Sequence, residues 1–155
     1  MSAPTTWRDY ADRLTPDQIA DFEAMGSTSD AELAYAFPST PVEESRQRIA
    51  ESMLKSARLQ AEHRHIPLPP GAADADTWQD DGDGDISRVV YGRRWEVDHM
   101  NVFVSAVQTA DGAAEWSLTA AVDDEDTTPE LVRRFAAALL DAADEYEKLT
   151  DEGQQ

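Results

Sequence analysis

The chain contains no cysteine. Disulfides, a thiolate metal site and a cysteine nucleophile are therefore excluded. Long apolar runs are also missing. None approaches the ~20 residues that cross a bilayer as a helix. The stretch Met1 to Tyr10 has neither the basic nor the apolar block of a signal peptide, so the expected location is the cytoplasm. Basic charge is scarce, with 13 Lys and Arg against 32 Asp and Glu, for a net charge of −19 over 155 residues. A surface so poor in cations does not bind phosphate backbones or anionic membranes directly. Large apolar side chains are sparse too, with Leu, Ile, Val and Phe making up 27 residues. Four Trp, four Tyr and four Met add bulk, which predicts a modest core among long polar stretches.

The acidity is uneven. Residues 1–66 carry a net charge of −4 and residues 67–155 one of −15. The change falls at Ile66-Pro67-Leu68-Pro69-Pro70-Gly71, a segment that cannot continue a helix. Three parts are expected: a helical part over 1–66, an acidic Pro/Gly linker of weak order over 67–85, and a sheet with a C-terminal helix over 86–150.

Capping signals organise the first part. Thr15-Pro16-Asp17-Gln18 is a capping box with Pro at the first helical position. It predicts a helix from Ile19 to about Met25, ended by Gly26. Trp7, Tyr10 and Leu14 share helical spacing just before it. Ser29 caps a short segment through Leu33 and Phe37, and Pro38 closes it. Thr40-Pro41-Val42-Glu43 repeats the capping logic and opens a helix over about 41–64, with Val42, Ile49, Met53, Leu54 and Ala57 as a narrow apolar stripe.

After the linker the period changes to two. Ile86 to Tyr91 is rich in β-branched and aromatic residues. Trp95, Val97 and His99 alternate with Glu96, Asp98 and Met100, and Val102, Val104 and Ala106 alternate with Phe103, Ser105 and Val107. Asp111-Gly112 marks a turn before a strand over about 115–122. Thr128-Pro129-Glu130-Leu131 then starts a strongly amphipathic helix, with Leu131, Phe135, Ala138, Leu139, Ala142, Tyr146 and Leu149 on one face and Ala136, Leu140 and Ala143 widening it. Both faces of the strands carry bulk, so the N-terminal helices or a second copy of the chain are expected to cover what one helix leaves open. The fold class is α+β: N-terminal helices, the linker, and an antiparallel sheet of three or four strands packed by a C-terminal helix.

Trp95, the run Val102-Phe103-Val104-Ser105-Ala106-Val107-Gln108, Asp111-Gly112, and the helix from Thr128-Pro129-Glu130 through Ala136-Ala137-Ala138-Leu139-Leu140-Asp141-Ala142-Ala143-Asp144 resemble small proteins of unassigned function from actinobacteria and their phages. The opening Thr6 to Ile19 is similar to the start of related proteins. The resemblance implies a sheet-plus-helix fold and an actinobacterial or actinophage source. It implies no activity and no catalytic residue.

Candidate sites are few. Asp81-Gly82-Asp83-Gly84-Asp85-Ile86 matches the middle of a calcium loop, but Gln79 stands at the first ligand position and Val90 at the closing one. A solvated Asp/Gly linker explains the stretch as well. His63 and His65, two apart on a helix, point to different faces and suit helix-end positions better than a metal. Asp98 and His99, read as one strand, face opposite ways. Ser105 has no evident base. There is no Gly-rich phosphate loop, nucleophile elbow or paired-His motif. No catalytic, cofactor or metal residue is assigned, and no cofactor is expected.

Interaction residues are Trp78, isolated in an acidic linker where a large aromatic needs something to dock on, and the acidic loop Asp123, Asp124, Glu125 and Asp126. For Trp78, docking within the chain is favoured over docking on a partner. The expected function is a non-enzymatic acidic module that binds a protein, with a basic surface as the complementary partner and a homodimer as an open alternative. Two other readings stand beside it: a DNA-mimic inhibitor of a nucleic-acid-binding protein, and a metal-assisted enzyme.

Overall fold

A computed structural model describes residues 3–123 and 126–152. The chain divides into two units, Met1–His65 and Ile66–Gln155.

Local signals build the first unit. Its elements are a 3-10 helix Trp7–Arg13, α1 Pro16–Gly26, α2 Asp30–Ala36 and α3 Val42–His63. The Asp9 carboxylate accepts hydrogen bonds from the backbone N–H groups of Thr6 and Thr5, and these hold its pKa below the ordinary value. At α1, Gln18 N donates to Thr15 Oγ1 at 3.3 Å, and Thr15 N donates back to Gln18 Oε1 at 3.0 Å. At α2, Ser29 caps in the same way with Glu32. The Thr40 signal is displaced: Pro41 is the N-cap of α3, and no side chain caps the helix. Trp7, Phe22, Met53 and Ala57 form the core of this unit, with Tyr10, Leu14, Ile19 and Ile49 packed around them. The Trp7 and Phe22 ring centroids lie 5.4 Å apart.

The second unit is an antiparallel five-stranded sheet crossed by one helix. Its strands are β1 Asp74–Ala75, β2 Gln79–Asp80, β3 Ile86–Val97, β4 Met100–Thr109 and β5 Ala114–Val122, and α4 spans Pro129–Glu152. β3 pairs with β4 and β4 with β5, while β1 and β2 both pair with the other edge of β3. The expectation of weak order over 67–85 is corrected here. The exposed edge of a 12-residue strand needs backbone partners, and this segment supplies them at Asp74↔Tyr91, Ala75↔Val90, Gln79↔Ser87 and Asp80↔Ile86. The Tyr91 hydroxyl also donates to Asp76 Oδ2 at 2.8 Å, and that hydrogen bond raises the phenol's pKa.

A β-bulge sets which side chains face the helix. Between Tyr91↔Ser105 and Arg94↔Phe103, Gly92 and Arg93 stand opposite Val104 alone. The extra residue brings Val90 and the pair Trp95 and Val97 onto one face despite their odd separation. Gly92 fits because its α-carbon passes close to the core: a Cβ there would lie 2.7 Å from Val104 Cγ2. Two apolar clusters lie along this face. One joins Val97, Met100 and Val102 to Leu131, Phe135, Ala138 and Ala142 of α4. The other joins Val90, Val104, Ala106 and Trp116 to Leu149.

The wide apolar arc expected for α4 is only partly covered, since Leu140 is 68% exposed. On the sheet's other face Val107 keeps 49% of its surface. The strand reading through Met100 is corrected: β3 ends at Val97, β4 starts at Met100, and Asp98-His99 is a two-residue hairpin loop in which Asp98 takes φ 57°. Asp tolerates that left-handed conformation without being its usual occupant.

Candidate functional site

Two edges meet at the hairpin end of the sheet. Residue 99 ends the β3–β4 loop, and its carbonyl accepts a hydrogen bond from Asp123 N at 3.4 Å, which ties the end of β5 to the hairpin. α4 begins a few residues later, where Thr128 Oγ1 accepts from Leu131 N at 3.2 Å. Asp98, His99, Asp126, Thr128, Glu130, Leu131 and Arg134 line a recess of about 400 Å³ there. Asp98, Asp123, Asp126 and Glu130 are all exposed. The positive end of the α4 dipole favours the carboxylates in its first turn. Next to Asp123, Val122 is 56% exposed at the end of β5.

The chemistry on offer is charge. His99 Nδ1 lies 3.8 Å from Asp98 Oδ1, so these two side chains are neighbours at the turn, contrary to the opposite-face expectation. The turn is the reason, because the alternation of a strand ends at Val97. Among the described residues no group of three or more His, Asp or Glu is placed to hold a metal ion. The calcium-like stretch is a hairpin loop in which Asp80 Oδ1 accepts from Gly82 N, and Val90, at the closing ligand position, is fully buried between Ala75 and Ala106. His63 and His65 donate from Nδ1 to the carbonyls of Leu59 and Glu62, both at 3.0 Å, as helix-end histidines do. Ser105 Oγ sits 3.4 Å from Ser117 Oγ.

Of the sequence-derived interaction residues, Asp123 and Asp126 lie at this acidic end. Asp124 and Glu125 fall outside the described residues. Trp78 is elsewhere: its side chain is 3% exposed, and the Arg88 guanidinium lies 4.4 Å from its ring centroid. Arg88 Nε donates to Gln108 Oε1 at 2.9 Å and a terminal nitrogen donates to the Ile66 carbonyl at 3.1 Å. Gln108 Nε2 donates to the Pro67 carbonyl at 2.9 Å. Burial pushes the Arg88 pKa down from its ordinary value. This cluster fastens the start of the second unit to its sheet. Asp98 and Glu130 join the acidic end, although sequence reasoning does not mark them as interaction residues. The flanking apolar pair Val97 and Met100 is the trace of the turn in the sequence. No family model matches the chain, and neither a curated protein nor a solved structure does.

Proposed function

We propose that the chain is a non-enzymatic acidic module, of actinobacterial or phage derivation, that binds a protein with a basic surface through the hairpin end of its sheet unit. The observation that carries this reading is the gathering of Asp98, Asp126 and Glu130 around one open recess. Carboxylates on the rim steer a basic partner and reject acidic ones. A second copy of the chain is disfavoured at this surface, because two such ends bring like charges together. The sheet unit's charge of −15 against −4 for the helical unit supports the same placement.

The test is affinity capture with the immobilised chain, at low and at high salt, beside the triple variant Asp98→Asn, Asp123→Asn, Asp126→Asn. The module reading predicts a basic protein retained by the wild type at low salt and released by salt or by the triple variant. Displacement of that protein by duplex DNA would favour the DNA-mimic reading within the same frame. A captured set that ignores both salt and the substitutions would remove the acidic end from the interface.

A further inference from the structure

The chain covers one edge of its sheet and leaves the other bare. β1 and β2 pair with the outer edge of β3, but among the described residues no strand pairs with the outer edge of β5. β5 runs from Ala114 to Val122 and pairs with β4 without a bulge. It contains no Pro and no Lys, and Glu115 is its one charged residue in a chain that is 29% charged. Charges, Pro and bulges are the usual guards against pairing between sheet edges, so this edge is unguarded.

The β4–β5 ladder fixes which backbone groups of β5 are open. Thr109 N donates to the Ala113 carbonyl at 2.9 Å, and Asp123 N donates to the His99 carbonyl at 3.4 Å, so odd-numbered residues bond across this ladder. Antiparallel ladders alternate, so the N–H and C=O groups of Trp116, Leu118 and Ala120 point away from β4. The side chains of these residues lie on the face that carries α4, where Leu118 is 38% exposed.

β5 is complementary to itself about Leu118. In an antiparallel pair centred there, Leu118 meets Leu118 of a second copy, Trp116 meets Ala120, and Ala114 meets Val122. All of these residues have their backbone groups on the open edge, so each pair exchanges two hydrogen bonds, about ten in all. Glu115 meets Ala121, so no two charges stand directly opposite. The two Val122 residues then lie about 27 Å apart, at ~3.4 Å per residue. That is more than three times the Debye length of about 8 Å at physiological salt, so the two acidic ends do not meet. With one carboxylate on it, the edge holds little for the basic partner of the acidic end.

We propose that two copies of the chain pair through their β5 edges, antiparallel about Leu118, into one continuous sheet. The contact is two-fold and isologous, and it leaves an acidic end open at each end of the joined strands.

Sedimentation equilibrium of the full chain over a concentration series, joined to amide hydrogen exchange at low and high concentration, tests this. The wild type should dimerise reversibly. Added salt should tighten the dimer, because it screens the repulsion between two copies of charge −19. Exchange at Trp116, Leu118 and Ala120 should slow as the dimer forms, whereas Ser117 and Thr119, bonded to β4, should be slow throughout. Ala120→Pro removes an outward N–H from each copy and spares the β4 ladder. It should weaken the dimer at least tenfold. Leu118→Glu sets two carboxylates face to face and should do the same. Slow exchange at Ser117 and Thr119 shows in either variant that the sheet is folded. A dimer whose Leu118 amide still exchanges fast, or variants that dimerise as tightly as the wild type, would overturn the proposal. So would a chain that stays monomeric at about 1 mM, which would leave the edge to a strand of another protein.

Discussion

Gly92 and Trp78 show how single residues set the sheet unit. A Cβ at Gly92 would meet Val104 Cγ2 at 2.7 Å and Trp116 Cζ3 at 3.2 Å. Val104 is buried and cannot swing aside. Gly92→Ala should therefore destabilise the chain by about 1–3 kcal/mol, measured by denaturant unfolding. The glycine stands in plain view in the sequence, and an isolated Gly in a strand is a bulge signal. Which strand it opposes depends on long-range pairing, so the change of phase between Val90 and Trp95 is not legible. Trp78 is legible as an aromatic in need of a dock, whereas Arg88 and Gln108 beside it are not, because polar residues on a strand read as its solvent face. Trp78→Ala should cost about 3–5 kcal/mol. Amide exchange at Ala73 and Asp76, whose N–H groups donate to β3, should speed up along with it.

Elements whose signals are local are legible in the sequence. The capping residues before α1, α2 and α4 lie within four positions of the bonds they make, so Thr15, Ser29 and Thr128 announce those helices without the rest of the fold. Thr15→Ala should cost about 0.5–2 kcal/mol, visible as a lower thermal midpoint. Glu32 gives a pH signature. Hydrogen bonds from the Ser29 hydroxyl, then from its backbone N–H, lower its pKa from the ordinary value of 4.5. A depressed carboxylate stabilises the fold above its unfolded pKa and loses that contribution as pH falls through the folded one. Acid titration should thus loosen α2 below about pH 4.5, and Glu32→Gln should flatten that part of the profile. The β3–β4 hairpin is the contrary case. Asp98-His99 lacks the Asn-Gly or Asp-Gly chemistry of a two-residue turn, so strand alternation reads straight through it. The acidic end is hidden for the same reason, because Asp98 reaches Asp126 and Glu130 only once the chain reverses there.

At the scale of the whole molecule, charge dominates. A net charge of −19 repels itself when compacted, and added salt screens that repulsion. The thermal midpoint should rise between about 0.01 and 0.15 M NaCl, over which the Debye length shrinks from about 30 to 8 Å. A midpoint that falls would mean that attractive ion pairs outweigh the repulsion. The α+β class and the order of its elements are legible because they rest on periodicity and caps. The second strand pair at the β3 edge and the gathering of carboxylates are not, since both are products of tertiary pairing. The central claim is that the acidic end is an interface for a basic protein. Its most direct measurement is the affinity of the captured partner for the wild type and for the Asp98→Asn, Asp123→Asn, Asp126→Asn variant across a salt series. The account predicts binding that weakens steeply with salt in the wild type, and a triple variant that binds more weakly and with a shallower salt slope. Equal affinities and parallel slopes for the two proteins would contradict it.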